Sequence, residues 1–248
     1  MLRGGSRSQR LTNLAQLLRP YNPSFSTAAA RENQIQGSEG CTANPIPHCP
    51  ARSTPKRAAV LICIFEGDDG HLRVILTQRS STLSSHSGEV ALPGGKVEEG
   101  DADDVATALR EAKEEIGLDP SLVDVVAVLE PFSMKRPMIV VPVIGLLRDK
   151  KSFCPTPNAA EVEVVFDAPL EMFLKDEDRR EEDREWMGEK YLIHFFDYEA
   201  DNRKHVIFGL TAGILIKAAS IVYQRSPNFI EKKPNFRNNK NVEKTVML

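Results

Sequence analysis

Glu111, Glu114 and Glu115 are the residues in this chain whose type and spacing most clearly suit chemistry. At 100° per residue they fall within about a 100° arc of a helix, roughly 135° away from an apolar stripe of Val105, Leu109, Ala112 and Ile116. Like charges at i,i+3 and i,i+4 repel, and near a helix C-terminus they also meet the unfavourable end of the macrodipole. A cation would offset that cost, and carboxylate oxygens suit hard divalent ions such as Mg²⁺ or Mn²⁺. Residues 98–119 hold nine acids against only Arg110 and Lys113, so the charge density is concentrated here. Just upstream, Gly94 and Gly95 in Leu92-Pro93-Gly94-Gly95-Lys96 would let backbone approach a ligand or metal without Cβ interference.

The elements that must hold these groups are legible around them. The Val105 to Ile116 periodicity predicts a helix of about four turns, with Asp101 as its N-cap and Gly117 followed by Pro120 as its stop. Upstream, Ala58 to Phe65 and Leu72 to Thr77 read as two strands of a hairpin closed by Glu66-Gly67-Asp68-Asp69-Gly70, and a loop from Ser80 to Gly88 follows. Downstream come strands at Val123 to Glu130, Ile139 to Leu147 and Val162 to Phe166, then a short Leu170 to Leu174 helix. The charge-dense stretch Lys175 to Glu185 reads as a solvated loop, before strands at Tyr191 to Phe196 and His205 to Phe208 and a helix at Leu210 to Tyr223. The fold class is α/β. The folded domain runs over residues 57–223, with a polar tail, 224–248, expected to be loose, and a linker at 32–56.

Composition excludes several other classes. With 248 residues, 41% hydrophobic and 27% charged, the chain is long enough for a buried core and too balanced for a disordered or multi-span protein. Its net charge of −3 gives no reason to expect nucleic acid as a partner. The longest apolar run, Phe208 to Tyr223, contains Lys217 and falls short of the roughly 20 residues of a membrane span. Four cysteines (Cys41, Cys49, Cys63, Cys154) form no C-x-x-C pair, and the five histidines belong to no H-E-x-x-H or G-x-S-x-G motif. Residues 1–31 carry five arginines and no acid, with Leu11, Leu14, Ala15, Leu17 and Leu18 at helical spacing. This reads as a transit peptide, mitochondrial rather than plastid, with chloroplast as the alternative.

Gly95 to Leu118, GKVEEGDADDVATALREAKEEIGL, resembles the Nudix box, G-x5-E-x7-R-E-U-x-E-E-x-G-U with U apolar. Arg110 to Leu118 matches at every fixed position, whereas Asp101 stands where the pattern has Glu, eight residues rather than seven before Arg110. Leu76-Thr77-Gln78-Arg79-Ser80, Gly88 and Leu92-Pro93-Gly94-Gly95 resemble the upstream signature of the coenzyme A diphosphatase branch, L-L-T-x-R-[SA]-x3-R-x3-G ending in F-P-G-G. Ser84 takes the place of the second arginine and Leu92 that of the phenylalanine. The nearest type is organellar and plant-like.

The resemblance implies an α/β/α sandwich with a mixed sheet between helices. It also implies Mg²⁺- or Mn²⁺-dependent hydrolysis of a nucleoside diphosphate derivative, coenzyme A or an acyl-CoA, to 3′,5′-adenosine bisphosphate and 4′-phosphopantetheine. By motif position Glu111, Glu114 and Glu115 would hold metal, and one of them could take a proton from water. Arg110 would orient a box carboxylate, Gly94 and Gly95 would border the metal, and Arg79 would contact phosphate. Glu161 and Glu163 could add a further carboxylate, although solvent-facing strand positions are the simpler reading. Phe132, Trp186 and Phe208 read as core rather than as a base-stacking wall. The competing functions are a Nudix pyrophosphatase acting on ADP-ribose, NADH, another nucleoside diphosphate derivative or a nucleoside triphosphate, a non-catalytic nucleotide-sensing module, and an acidic protein-interaction domain.

Overall fold

The continuous apolar run from Ala58 to Phe65 has no polar face because it becomes a central strand buried on both sides. Ala59, Leu61, Cys63 and Phe65 point into one core, Ala58, Ile62 and Ile64 into the other. This is seen in a computed structural model that describes residues 8–21, 56–133, 138–186 and 188–233. The strand, β1 (Lys56–Glu66), pairs in parallel with β7 (Met138–Leu147) and antiparallel with β2 (Leu72–Arg79). β5 (Val123–Val128) and β6 (Phe132–Ser133) pair with β7, and β8 (Val162–Pro169) covers the outer side of β2.

β1 and β2 stay paired only from Ile64↔Val74 to Glu66↔Leu72 and then part company. Two short strands enter the opening: β3 (Val90–Ala91) pairs with Thr77 and Gln78 of β2, and β4 (Gly94–Lys96) pairs with Ala58 to Val60 of β1. The glycine turn is therefore held in the sheet by backbone hydrogen bonds on both flanks. Gly94 is required there, since it has φ +153° and an added Cβ would lie 2.6 Å from Val60 Cα.

Each face of this mixed, eight-stranded sheet carries a layer. On one face α2 (Asp104–Ile116) buries Ala108, Ala112 and Ile116. On the other, α3 (Gly209–Tyr223) is apolar round most of its surface and buries eight of its fifteen residues. A second antiparallel sheet, of β9 (Arg179–Trp186), β10 (Glu189–Ala200) and β11 (Arg203–Phe208), also contributes Phe196 and Ile207 to the α3-side core. The α/β/α architecture with a mixed sheet is as expected. Among the described residues no helix is long and apolar enough to cross a membrane.

Four local expectations need correction. The N-cap of α2 is Asp103, whose side chain accepts from Ala106 N–H, while Asp101 is engaged elsewhere. The stretch expected as a solvated loop contains β9, because its backbone pairs with β10 over eight registered positions although its side chains lack apolar alternation. Residues 224–233 are docked: Asn228 N–H donates to Leu174 C=O, Leu192 N–H donates to Lys232 C=O, and Phe229 packs against His194. The arginine-rich amphipathic segment does form a helix, α1 (Gln9–Leu18), but its Leu11, Leu14 and Leu18 are buried in the α3-side core, outside the 57–223 boundary drawn from the sequence. The segment at 22–55 lies outside the described residues.

Candidate active site

The functional side chains meet where β2 ends, the β3–β4 segment crosses, and the second half of α2 runs past them. α2 is anchored at its start by Arg57 of β1, whose Nε and Nη2 each donate to the Asp104 carboxylate at 2.6 Å. Its end is fixed by Gly117, at φ +72°, and by the loop that leads into β8, where Thr156 N–H donates to Ile116 C=O and Asn158 N–H to Glu115 C=O. The helix cannot rotate about its axis without breaking both ends.

That orientation turns Glu115 inward. The residue is 3% exposed, its Oε2 accepts from Gly94 N–H at 3.0 Å, and its Oε1 lies 3.8 Å from Arg79 Nη1. Burial raises its pKa to about 7, opposed by the Gly94 hydrogen bond and by Arg79 and reinforced by Glu111 and Glu161. Glu111, one turn earlier, is pushed up by burial against the pull of Arg110, with Glu114 and Glu161 adding repulsion. Its carboxylate fills the space that a side chain at Gly95 would take, with an added Cβ 2.6 Å from Oε2. The second glycine is thus needed for carboxylate room.

Arg110 is the hub of the acidic face. Its Nε and Nη2 donate to Asp101 at 2.9 and 3.0 Å, and Nη2 also donates to Lys96 C=O. Nη1 lies 3.2 Å from Glu111 and 3.0 Å from Glu114. Thr107 Oγ1 and Glu98 N–H donate to the same Asp101 carboxylate, which is held well below the usual range, chiefly by Arg110. A shorter acid one residue further upstream than the motif's glutamate therefore still clamps the arginine. Glu114 remains more than half exposed.

Arg79, Gly94, Gly95, Arg110, Glu111 and Glu115 are thus drawn together, with Glu114 at the rim. Among the described residues Arg79 Nε is buried without a hydrogen-bond partner. Glu161 is closer to the site than a solvent-facing reading allows: it adds to the repulsion on Glu111 and Glu115, and its C=O accepts from Ser80 N–H. The signal in the sequence was the Asn158 turn, whose C=O accepts from both Glu161 and Val162 N–H. Glu163 is exposed. Phe208 stacks on Phe195 in the second sheet, consistent with packing.

The donor set fits a hard divalent cation: clustered carboxylate oxygens, two of them destabilised as anions by burial and by one another, beside a glycine turn that leaves room. Among the described residues no group of three His, Cys, Asp or Glu side chains is placed to hold a metal ion by itself. An open site completed by water and substrate oxygens is the mode expected for Mg²⁺.

A family model described as the NUDIX domain matches residues 55–207. The chain is 69% identical over 193 residues to "Nudix hydrolase 15, mitochondrial" of Arabidopsis thaliana, covering 78% of this chain and 68% of the relative. It is 60% identical over 240 residues to "Nudix hydrolase 22, chloroplastic" of the same plant, covering 94% and 80%. It is also 38% identical over 162 residues to "Peroxisomal coenzyme A diphosphatase NUDT7" of Mus musculus, covering 64% and 68%.

Proposed function

The chain belongs to the Nudix hydrolases, and on that premise we propose that it hydrolyses the diphosphate of coenzyme A and its derivatives. The products are 3′,5′-adenosine bisphosphate and 4′-phosphopantetheine or its acyl form. Nudix hydrolases act on nucleoside diphosphate derivatives and generally use divalent metal ions. The observation that carries the reading is the meeting of Glu111, Glu115, the Gly94 N–H and the orphaned Arg79 Nε at one edge of the sheet. The Leu76 to Gly95 signature and the coenzyme A diphosphatase relative support the choice of substrate.

Glu111, Glu114 and Glu115 would hold Mg²⁺ or Mn²⁺, which when bound neutralises the diphosphate and lowers the pKa of water. The chain's own groups do the rest. Gly94 N–H fixes Glu115, and Arg110 restrains Glu111 and Glu114 from one side. Arg79 offers its guanidinium to phosphate oxygens. A carboxylate of the cluster accepts the proton of the attacking water.

Ser84, in place of the branch's second arginine, removes one contact to an anionic group and keeps a second reading open, cleavage of ADP-ribose, NADH or another nucleoside diphosphate derivative. Turnover of coenzyme A, its disulfide, acyl esters, NADH and ADP-ribose with Mg²⁺ and with Mn²⁺ separates the two. Coenzyme A substrates are expected to be preferred; brisk cleavage of ADP-ribose or NADH with inert coenzyme A contradicts the first reading. The relatives named mitochondrial and chloroplastic support an organellar location, and the arginine-rich amino terminus favours the mitochondrion.

A further inference from the structure

The helix α1 has every sequence mark of a removable leader, yet its apolar face is part of the enzyme's core. Leu11, Leu14 and Leu18 are 1%, 5% and 0% exposed and belong to the same cluster as Ile214, Leu215 and Ala218 of α3 and Val126 of β5. Leu17, about 90° off that stripe at the helical 100° per residue, is 39% exposed. Polar contacts fix the helix in register. Ser8 Oγ accepts from Leu11 N–H as the N-cap and donates to the Glu66 carboxylate at the end of β1, and Arg10 donates to Gly70 C=O in the β1–β2 turn. Both tie the start of the helix to one particular turn of the domain, which a helix merely resting on an apolar surface would not require. Taking α1 away would uncover apolar side chains of α3 and β5.

We propose that residues 8–21 are a retained structural element of the mature hydrolase, and that any leader removed from the chain ends before Ser8. A targeting receptor that reads an amphipathic helix competes for Leu11, Leu14 and Leu18 with the fold itself. Targeting through this segment is therefore read before the domain folds, and folding masks it.

The test uses the full chain. Leu14→Asp and Leu18→Asp are expected to lower the thermal midpoint by about 5–15 °C, or to prevent folding, while Leu17→Asp shifts it by about 2 °C or less. Leu18→Ala, a cavity without a buried charge, provides a folded variant and is expected to show a smaller but clear fall. Imported into isolated mitochondria or chloroplasts, the chain is expected to keep residues 8–21, read from the intact mass. Equal midpoints for the Leu17 and Leu18 variants, or a processed protein that starts after Tyr21, overturn the proposal.

Discussion

Glu115 brings together opposing demands: it is buried with Glu111 and Glu161 resisting its ionisation, yet Gly94 N–H and Arg79 favour the charged form. Glu115→Gln keeps the shape and the acceptor for Gly94 N–H, so circular dichroism is expected to be unchanged while turnover falls about 100-fold or more. Wild-type rates in that variant would place the chemistry elsewhere. Gly95→Ala is expected to lower kcat because its methyl displaces the Glu111 carboxylate, with a much smaller effect on the thermal midpoint. A steady-state comparison with wild type checks this; unchanged kcat would show that Glu111 is free to move. Arg110, Glu111, Glu114 and Glu115 were legible because the motif fixes their spacing. The grip of Asp101 on Arg110 was not, since it depends on how the loop before α2 folds back.

At the scale of elements, the junction between the two sheets contains His205 of β11, 2% exposed, lying 3.9 Å centroid to centroid on Phe166 of β8 and, among the described residues, without a hydrogen-bond partner at either ring nitrogen. Burial lowers its pKa below 6.5, with Arg203 acting in the same direction and Asp201 against it. A buried histidine that resists protonation contributes stability above its unfolded pKa and loses it as pH falls, because the unfolded chain then binds the extra proton. His205→Phe keeps the stack and is expected to be more stable than wild type at pH 5.5 by a wider margin than at pH 7.5, as read by thermal unfolding. A margin that does not depend on pH would contradict this. Cys63 of β1 follows from burial on both faces: its thiol is pushed up to about 12, and it is expected to resist alkylation until the protein unfolds, with peptide mapping as the check. Elements with a buried stripe were readable from periodicity. β9 was not, because partnership with β10 rather than an apolar face makes it a strand, and Arg180 lies over Phe195, covering it with a cation instead of a hydrophobe.

Across the whole molecule, the parting of β1 and β2 makes the site: β3 and β4 enter the opening and carry Gly94 and Gly95 to the carboxylates of α2. The order of the longer strands and helices was legible from the sequence, whereas β3, β4, β6 and β9 were not read as strands. The long-range consequences were not, since neither the docking of α1 onto α3 nor that of residues 224–233 onto the second sheet leaves a local signature. The account stands on the acidic face being a divalent-cation site, and Mn²⁺ binding followed by electron paramagnetic resonance tests that most directly. The wild-type chain is expected to take up Mn²⁺ at millimolar metal or below, and Glu115→Gln to bind about tenfold more weakly with its fold intact. Wild-type protein that takes up no Mn²⁺ at millimolar concentration, or a variant that binds equally well, would contradict it.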